Sequence, residues 1–265
     1  MGMSSTVHGP TNRGTGVIGR RDIGTLRRAA QMFPRQMQYR ASLVLSSDVK
    51  RQASLLPQPV RHAVVWCDLD RISLHGEAIR EERRVPYGWA LPGEWDERAE
   101  RRPSILEPAP EGSFRADTHS TIRAMFINGT DPTRTPEYES YLRMVEAGSR
   151  PKGCATPEDV DAYFADLKCT FRGMKARGYL TQRQLTGDGS EQEVWVYVTR
   201  DGALCHRKYG QHRIRMAELL GLQRAPIMIR RMHPLWIERL CSEADAPPHV
   251  AIGRWIASNF TFATA

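Results

Sequence analysis

An α+β fold, with strands and helices around one principal core, is predicted by three features of the 265-residue sequence. Glu193-Val194-Trp195-Val196-Tyr197-Val198-Thr199 is β-branched and aromatic, the composition of a strand. Residues 157–178 place Val160, Tyr163, Phe164, Leu167 and Phe171 at three- and four-residue spacing, the apolar stripe of a core-facing helix. Between 193 and 229 the order is strand, turn, helix, strand, with the second strand, Ala225-Pro226-Ile227-Met228-Ile229, opened by proline.

The elements follow in order. Residues 1–20 are rich in Gly, Ser and Thr and predict disorder; residues 21–56 alternate basic and apolar residues and fit one or two helices. Val64 to Ile72 predicts a strand followed by the start of a helix. Residues 76–118, with Glu81-Glu82-Arg83-Arg84 and five prolines at 86, 92, 103, 108 and 110, are loop-like. Residues 119–148 predict helix, broken at Asn128-Gly129 and at 132–136, where Thr135 and Pro136 form a cap and first-turn pair. Thr156-Pro157-Glu158-Asp159 repeats that start, with acids in the first turn. Asp201-Gly202 is a hairpin-type turn, and His233-Pro234 closes the last strand.

At 40% hydrophobic residues the chain can bury a substantial core. It lacks a run near the roughly 18 apolar residues a membrane span needs, and its N-terminus lacks an apolar signal core. Five cysteines, odd in number and scattered, suggest neither a zinc site nor a disulfide scaffold, which points to a reducing cytoplasm. The formal net charge is +8, but residues 1–60 hold nine basic and two acidic residues. The excess therefore sits almost wholly in an N-terminal arm, a candidate contact for nucleic acid, an acidic partner or anionic lipid as well as a solvated tail.

The most informative segment is Tyr209-Gly210-Gln211-His212-Arg213-Ile214-Arg215 and the residues after it. It predicts a strand ending in a tight glycine turn, then a helix whose first turn carries His212 and Arg213, with Ile214, Ala217, Leu220 and Leu222 facing the core. A helix N-terminus offers unpaired N–H groups and the positive end of the helix dipole, and an arginine fork matches phosphate oxygens. Gly210, Gln211, His212 and Arg213 are thus candidates to hold a nucleotide's phosphates. Cys205 and His206 lie near this segment, but no histidine spacing suggests a metal cluster.

This order of elements, with G-x-H-R, Leu220-Gly221-Leu222 and Ala225-Pro226 before an apolar strand, resembles the ParB/sulfiredoxin superfamily. Val64 to Ile72 looks like that family's opening strand, and Pro157 to Gly178 like the helix before its central strand. The resemblance covers about 60–74 and 157–232. It implies a small mixed sheet flanked by helices over 59–240, a long helical and loop insertion at about 76–156, a basic extension at 1–58 and a tail at 241–265. It also implies that the turn binds nucleotide. Departures matter: sulfiredoxin's cysteine is replaced by Gln211, the serine kinases' aspartate before glycine by Tyr209, and the partition proteins' paired arginines by His212-Arg213.

Catalysis then falls to nearby acids. Asp68 and Asp70 follow the first strand, and Glu94 and Asp96 flank Trp95 in Trp89-Ala90-Leu91-Pro92-Gly93-Glu94-Trp95-Asp96. That segment fits either a lid bringing an acid to Mg²⁺ or a substrate hydroxyl, or a Trp-anchored loop with two solvated acids. With Phe126, Gly129, Thr135 and Tyr138 it is similar to ParB-like proteins found among polysaccharide-biosynthesis genes. The expected function is an ATP- or other nucleotide-dependent phosphotransferase or nucleotide hydrolase acting on a small-molecule or glycan-type acceptor. The alternatives are a DNA-binding partition or regulatory protein, against which stand only about thirty residues after the core, and a non-catalytic nucleotide-binding module.

Overall fold

The computed structural model describes residues 64–76, 90–113, 115–187 and 192–263. The expected extension at 1–58, the charged run at 81–84 and Trp89 lie outside the described residues. The described part is α+β: a seven-stranded mixed sheet and, among the described residues, seven α-helices.

Strands β1 (Val64–Asp68), β2 (Leu74–His75), β3 (Glu100–Arg101), β4 (Val194–Val198), β5 (Leu204–Lys208), β6 (Arg224–Met232) and β7 (Thr261–Phe262) lie in the order β3-β2-β5-β4-β6-β1-β7. The β2–β5 and β4–β6 pairs are parallel and the others antiparallel. Every residue of β4 is buried, because both faces of the sheet are covered there. Strand alternation sends Val194, Val196 and Val198 to the larger core, under the helices. Trp195 and Tyr197 meet Leu91, Trp95, Cys205 and Met228 on the opposite face. Strand β6 extends beyond its five-residue apolar run because it pairs on both sides. Pro226 is tolerated because the β4 ladder begins at Ile227, so β6 has only β1 beside it at the proline.

On the larger-core face lie α1 (Ala116–Phe126), α2 (Pro136–Glu146), α3 (Pro157–Arg177) and α5 (Gln211–Leu219); α4 (Gln182–Thr186) is a short connector. Helix α3 starts at a capping box, Thr156 with Asp159, and its stripe buries Val160, Phe164 and Leu167, each contributing about 1.5–3 kcal/mol. Phe126 of α1 stacks on Phe171 of α3 at 4.1 Å. The expected loop at 76–118 contains β3, which pairs with β2. After β6 come α6 (Pro234–Ala244) and α7 (Pro248–Asn259), joined by Trp236 against Trp255, and β7 then adds to β1. Residues 241–263 are thus built into the fold. No helix among the described residues is long and apolar enough to cross a membrane.

The helix expected after β1 is only a 3₁₀ turn, Leu69–Arg71. Its carbonyls have other partners. Arg102 donates from Nη2 to Leu69 O at 2.8 Å and from Nε to Ile72 O at 2.6 Å, while its third nitrogen pairs with Glu218. One guanidinium thus takes the acceptors that a second helical turn would use.

Candidate functional site

The segment between β5 and α5 is built by two successive left-handed residues, Tyr209 (φ 52°) and Gly210 (φ 68°). Glycine is required by packing as well as by φ: a methyl at residue 210 would collide with Cγ2 of Val194 and come 3.2 Å from its Cα. Helix α5 has no side-chain cap. Among the described residues the backbone N–H groups of Gln211, His212 and Arg213 meet no acceptor; the first helical bond here is from Ile214 N to Gly210 O. Tyr209 is exposed and Gln211 half-buried, so this end of the helix reaches the surface.

His212 turns inward. Its Nε2 lies 2.7 Å from Oε2 of Glu137, and the Tyr163 hydroxyl is 3.3 Å from its Nδ1. The other oxygen of Glu137 accepts from the hydroxyls of Tyr141 at 2.9 Å and Thr118 at 3.0 Å. Both partners of the His–Glu pair are 7% exposed. Burial pushes the Glu137 carboxyl upward, but the imidazole beside it and the three hydrogen bonds outweigh burial, so it is held below the ordinary glutamate value. Burial first, and then Glu137, push the Tyr141 and Tyr163 phenols well above the tyrosine range, so they serve as donors and not as phenolates.

Two cations lie within electrostatic range of Glu137. Arg115 donates to the carbonyl of Arg207 at 3.0 Å, and burial lowers its pKa to about 10, against the pull of Glu137. Lys152 is exposed, and partial desolvation against the fold lowers its ammonium below the ordinary lysine value, opposed by Glu137. Both have left-handed backbones, at φ 65° and 52°. Three of the four non-glycine residues with positive φ among the described residues, Arg115, Lys152 and Tyr209, therefore border this site. Such conformations cost of order 1–3 kcal/mol each and mark places where geometry is held by the surroundings.

Arg213 turns to the other side of the helix start. It donates to the carbonyl of Gln192 and lies 3.6 Å from Oε2 of Glu193. Glu193 is 1% exposed, and burial raises its carboxyl above the ordinary value.

The four acids considered from the sequence are elsewhere. Asp68 pairs with Arg224 at 3.2 Å, and Leu69 N donates to Gln223 O, which sets Asp68 and Asp70 by the C-terminal end of α5. Nine residues of helix, roughly 13 Å, separate that end from Gly210. Asp70 is exposed. Trp95 lies on the sheet face away from α5. Glu94 is exposed, and Asp96 sits at the β4–β5 hairpin, the opposite end of β5 from Gly210. Asp96 accepts three hydrogen bonds from Arg200, at 2.8, 2.9 and 2.7 Å. Asp96→Asn is therefore expected to lower stability by about 1.5–3 kcal/mol in urea unfolding, with the affinity of the α5 end for phosphate unchanged.

Gly210 to Arg213 thus form the turn and helix start, but their two charged side chains diverge. His212 turns toward Glu137, with Tyr163 beside it and Arg115 and Lys152 in electrostatic range of that acid, and Arg213 turns toward Glu193. Glu137 had a local signal only as an acid in the first turn of α2. Among the described residues no group of three His, Cys, Asp or Glu is placed to hold a metal ion. Cys205 is fully buried, and its thiol is pushed up to about 11 by burial. No family model, no curated protein and no solved structure matches this chain.

Proposed function

We propose that the protein is a ParB/sulfiredoxin-like, cytoplasmic nucleotide-binding enzyme. It would hold nucleotide phosphates at the start of α5 and transfer or hydrolyse the terminal phosphoryl group, with a small-molecule or glycan-type acceptor. The observation that carries this reading is the uncapped N-terminus of α5, with three N–H groups lacking acceptors among the described residues, while Arg115 and Lys152 lie in electrostatic range of Glu137, the partner of His212. An anion there gains both the hydrogen bonds and the dipole. Phosphoryl transfer asks for positioning and charge neutralisation more than for covalent chemistry, which this set supplies. Mg²⁺ travels with the nucleotide and neutralises its phosphates. Within the chain, Glu137 fixes the His212 ring, and the hydroxyls of Tyr141 and Thr118 fix Glu137.

Calorimetric titration of the full-length protein with ATP, ADP, CTP and GTP in the presence of Mg²⁺ tests the reading. Micromolar binding of at least one is expected, weakened about ten-fold in Lys152→Ala, the loss of one charged contact. Failure of all four nucleotides to bind would overturn the site. Tight binding without phosphate release or transfer would leave a binding module and remove the enzymatic part. Arg213 is a poor probe, because its truncation also strips the buried Glu193 of its counter-charge.

A further inference from the structure

Beside the start of α5 is a second group of side chains with unmet hydrogen bonds. Tyr179 follows the end of α3, is 6% exposed, and its hydroxyl has no hydrogen-bond partner among the described residues. Glu193 uses Oε1 to accept the N–H of Gln182 at 2.5 Å and leaves Oε2 unused. Arg213 uses Nη2 on the Gln192 carbonyl, while its Nη1 makes no hydrogen bond and forms with that same Oε2 an ion pair stretched to 3.6 Å, beyond hydrogen-bond length. The Tyr179 hydroxyl is in electrostatic range of both. Buried polar atoms are nearly always hydrogen-bonded in native proteins, so a stretched ion pair with an unbonded phenol in electrostatic range points to a polar group that sits among them.

Their chemistry narrows what that is. Oε2 of Glu193 only accepts, Nη1 of Arg213 only donates, and a phenol does either. A phosphate or carbonyl oxygen would satisfy the arginine but meet the carboxylate lone pairs; an ammonium would satisfy the carboxylate but meet the guanidinium. A hydroxyl satisfies all three, donating to Glu193 and accepting from both Arg213 and Tyr179. The location agrees, since Arg213 is the third residue of α5 and Glu193 precedes Val194, the residue packed on Gly210.

We infer that Tyr179, Glu193 and Arg213 form a seat for a hydroxyl group of the ligand whose phosphates lie at the start of α5. The inference rests on the phosphate reading and adds to it a part of the ligand beyond the phosphates. Ribose and the hydroxyls of a sugar acceptor share this chemistry, and a carboxylate beside a ribose diol is a recurrent arrangement in nucleotide sites.

The test is calorimetric titration of the full-length protein with ATP, 2′,3′-dideoxy-ATP, inorganic tripolyphosphate and glucose. It compares wild type with Tyr179→Phe and Glu193→Gln. Tyr179→Phe removes only an unpaired hydroxyl, so folding is retained and the melting temperature is unchanged or higher. If the hydroxyl is the ribose's, ATP binds wild type about ten-fold more tightly than its dideoxy analogue, and that gap closes in both variants. If it is a sugar's, the two nucleotides bind alike, and glucose binds wild type but neither variant. Tripolyphosphate keeps its affinity throughout in either case. Retained tripolyphosphate binding with no variant effect on any hydroxyl-bearing probe would sink the seat and leave the phosphate site standing. Loss of tripolyphosphate and nucleotide binding in the wild type would remove both.

Discussion

Glu137→Ala is expected to lower the free energy of unfolding by about 3–5 kcal/mol, the largest effect of any single truncation around the site. The carboxylate is 7% exposed and joins α2 to α5 through His212, to α1 through Thr118, and to its own helix through Tyr141. Removing it leaves three buried polar groups without their partner, the circumstance in which loss of one member of a buried pair is most damaging. Glu137→Gln should fall between alanine and wild type, because it keeps the shape but reverses one donor–acceptor relation. The pH dependence has a defined sign. The folded carboxyl is held below its ordinary value of 4.5, so its stabilising contribution is fully present above that pH. It is lost as pH falls through the lower, folded value. Urea unfolding followed by tryptophan fluorescence should show wild type losing more stability than Glu137→Gln on acidification below about 4.5. Parallel curves for the two proteins would show that Glu137 is not ionised in the fold.

Gly210→Ala is expected to cost about 2–5 kcal/mol. A left-handed alanine accounts for about 1–2 kcal/mol, and forcing a methyl against Val194 for about 1–3 more. Gly221 provides the internal comparison: its φ is 67°, but a methyl there meets nothing within 4 Å. Gly221→Ala should therefore show the backbone part alone. Equal losses for the two variants in thermal unfolding would mean that β4 yields to residue 210, and that the glycine serves backbone conformation only.

Where pattern and neighbour agree, the sequence was legible. The alternation in β4, the hairpin to β5, the Thr156 capping box and the glycine turn into α5 are each decided within a few residues. What was hidden depends on distant partners. Glu137 faces His212 across 75 residues and Asp96 faces Arg200 across 104, so neither acid's role is written in its surroundings along the chain. Glu137 looks like a helix-start acid and Asp96 like a solvated loop acid until the sheet brings their partners in. Arg102 shows the same limit in reverse: a single guanidinium from the insertion replaced a helix that local residues would have allowed after β1. Polar matches of this kind carry no periodicity, unlike the apolar faces that reveal strands and helices.

The pairing of β1 bears on how the chain is made. Its neighbours are β6 and β7, so Trp66 is paired with Pro226, 160 positions later, and Val64 O receives the N–H of Ala263. At a ribosomal rate of about 5–20 residues per second, β1 spends roughly 8–30 seconds outside the tunnel before β6 follows it. Throughout that interval an apolar strand, with Val65 and Cys67 destined for the core, has no partner on either side. This part of the sheet thus forms only after β6 and β7 have been made, and among the described strands β1 is the one on which a nascent-chain chaperone has longest to act.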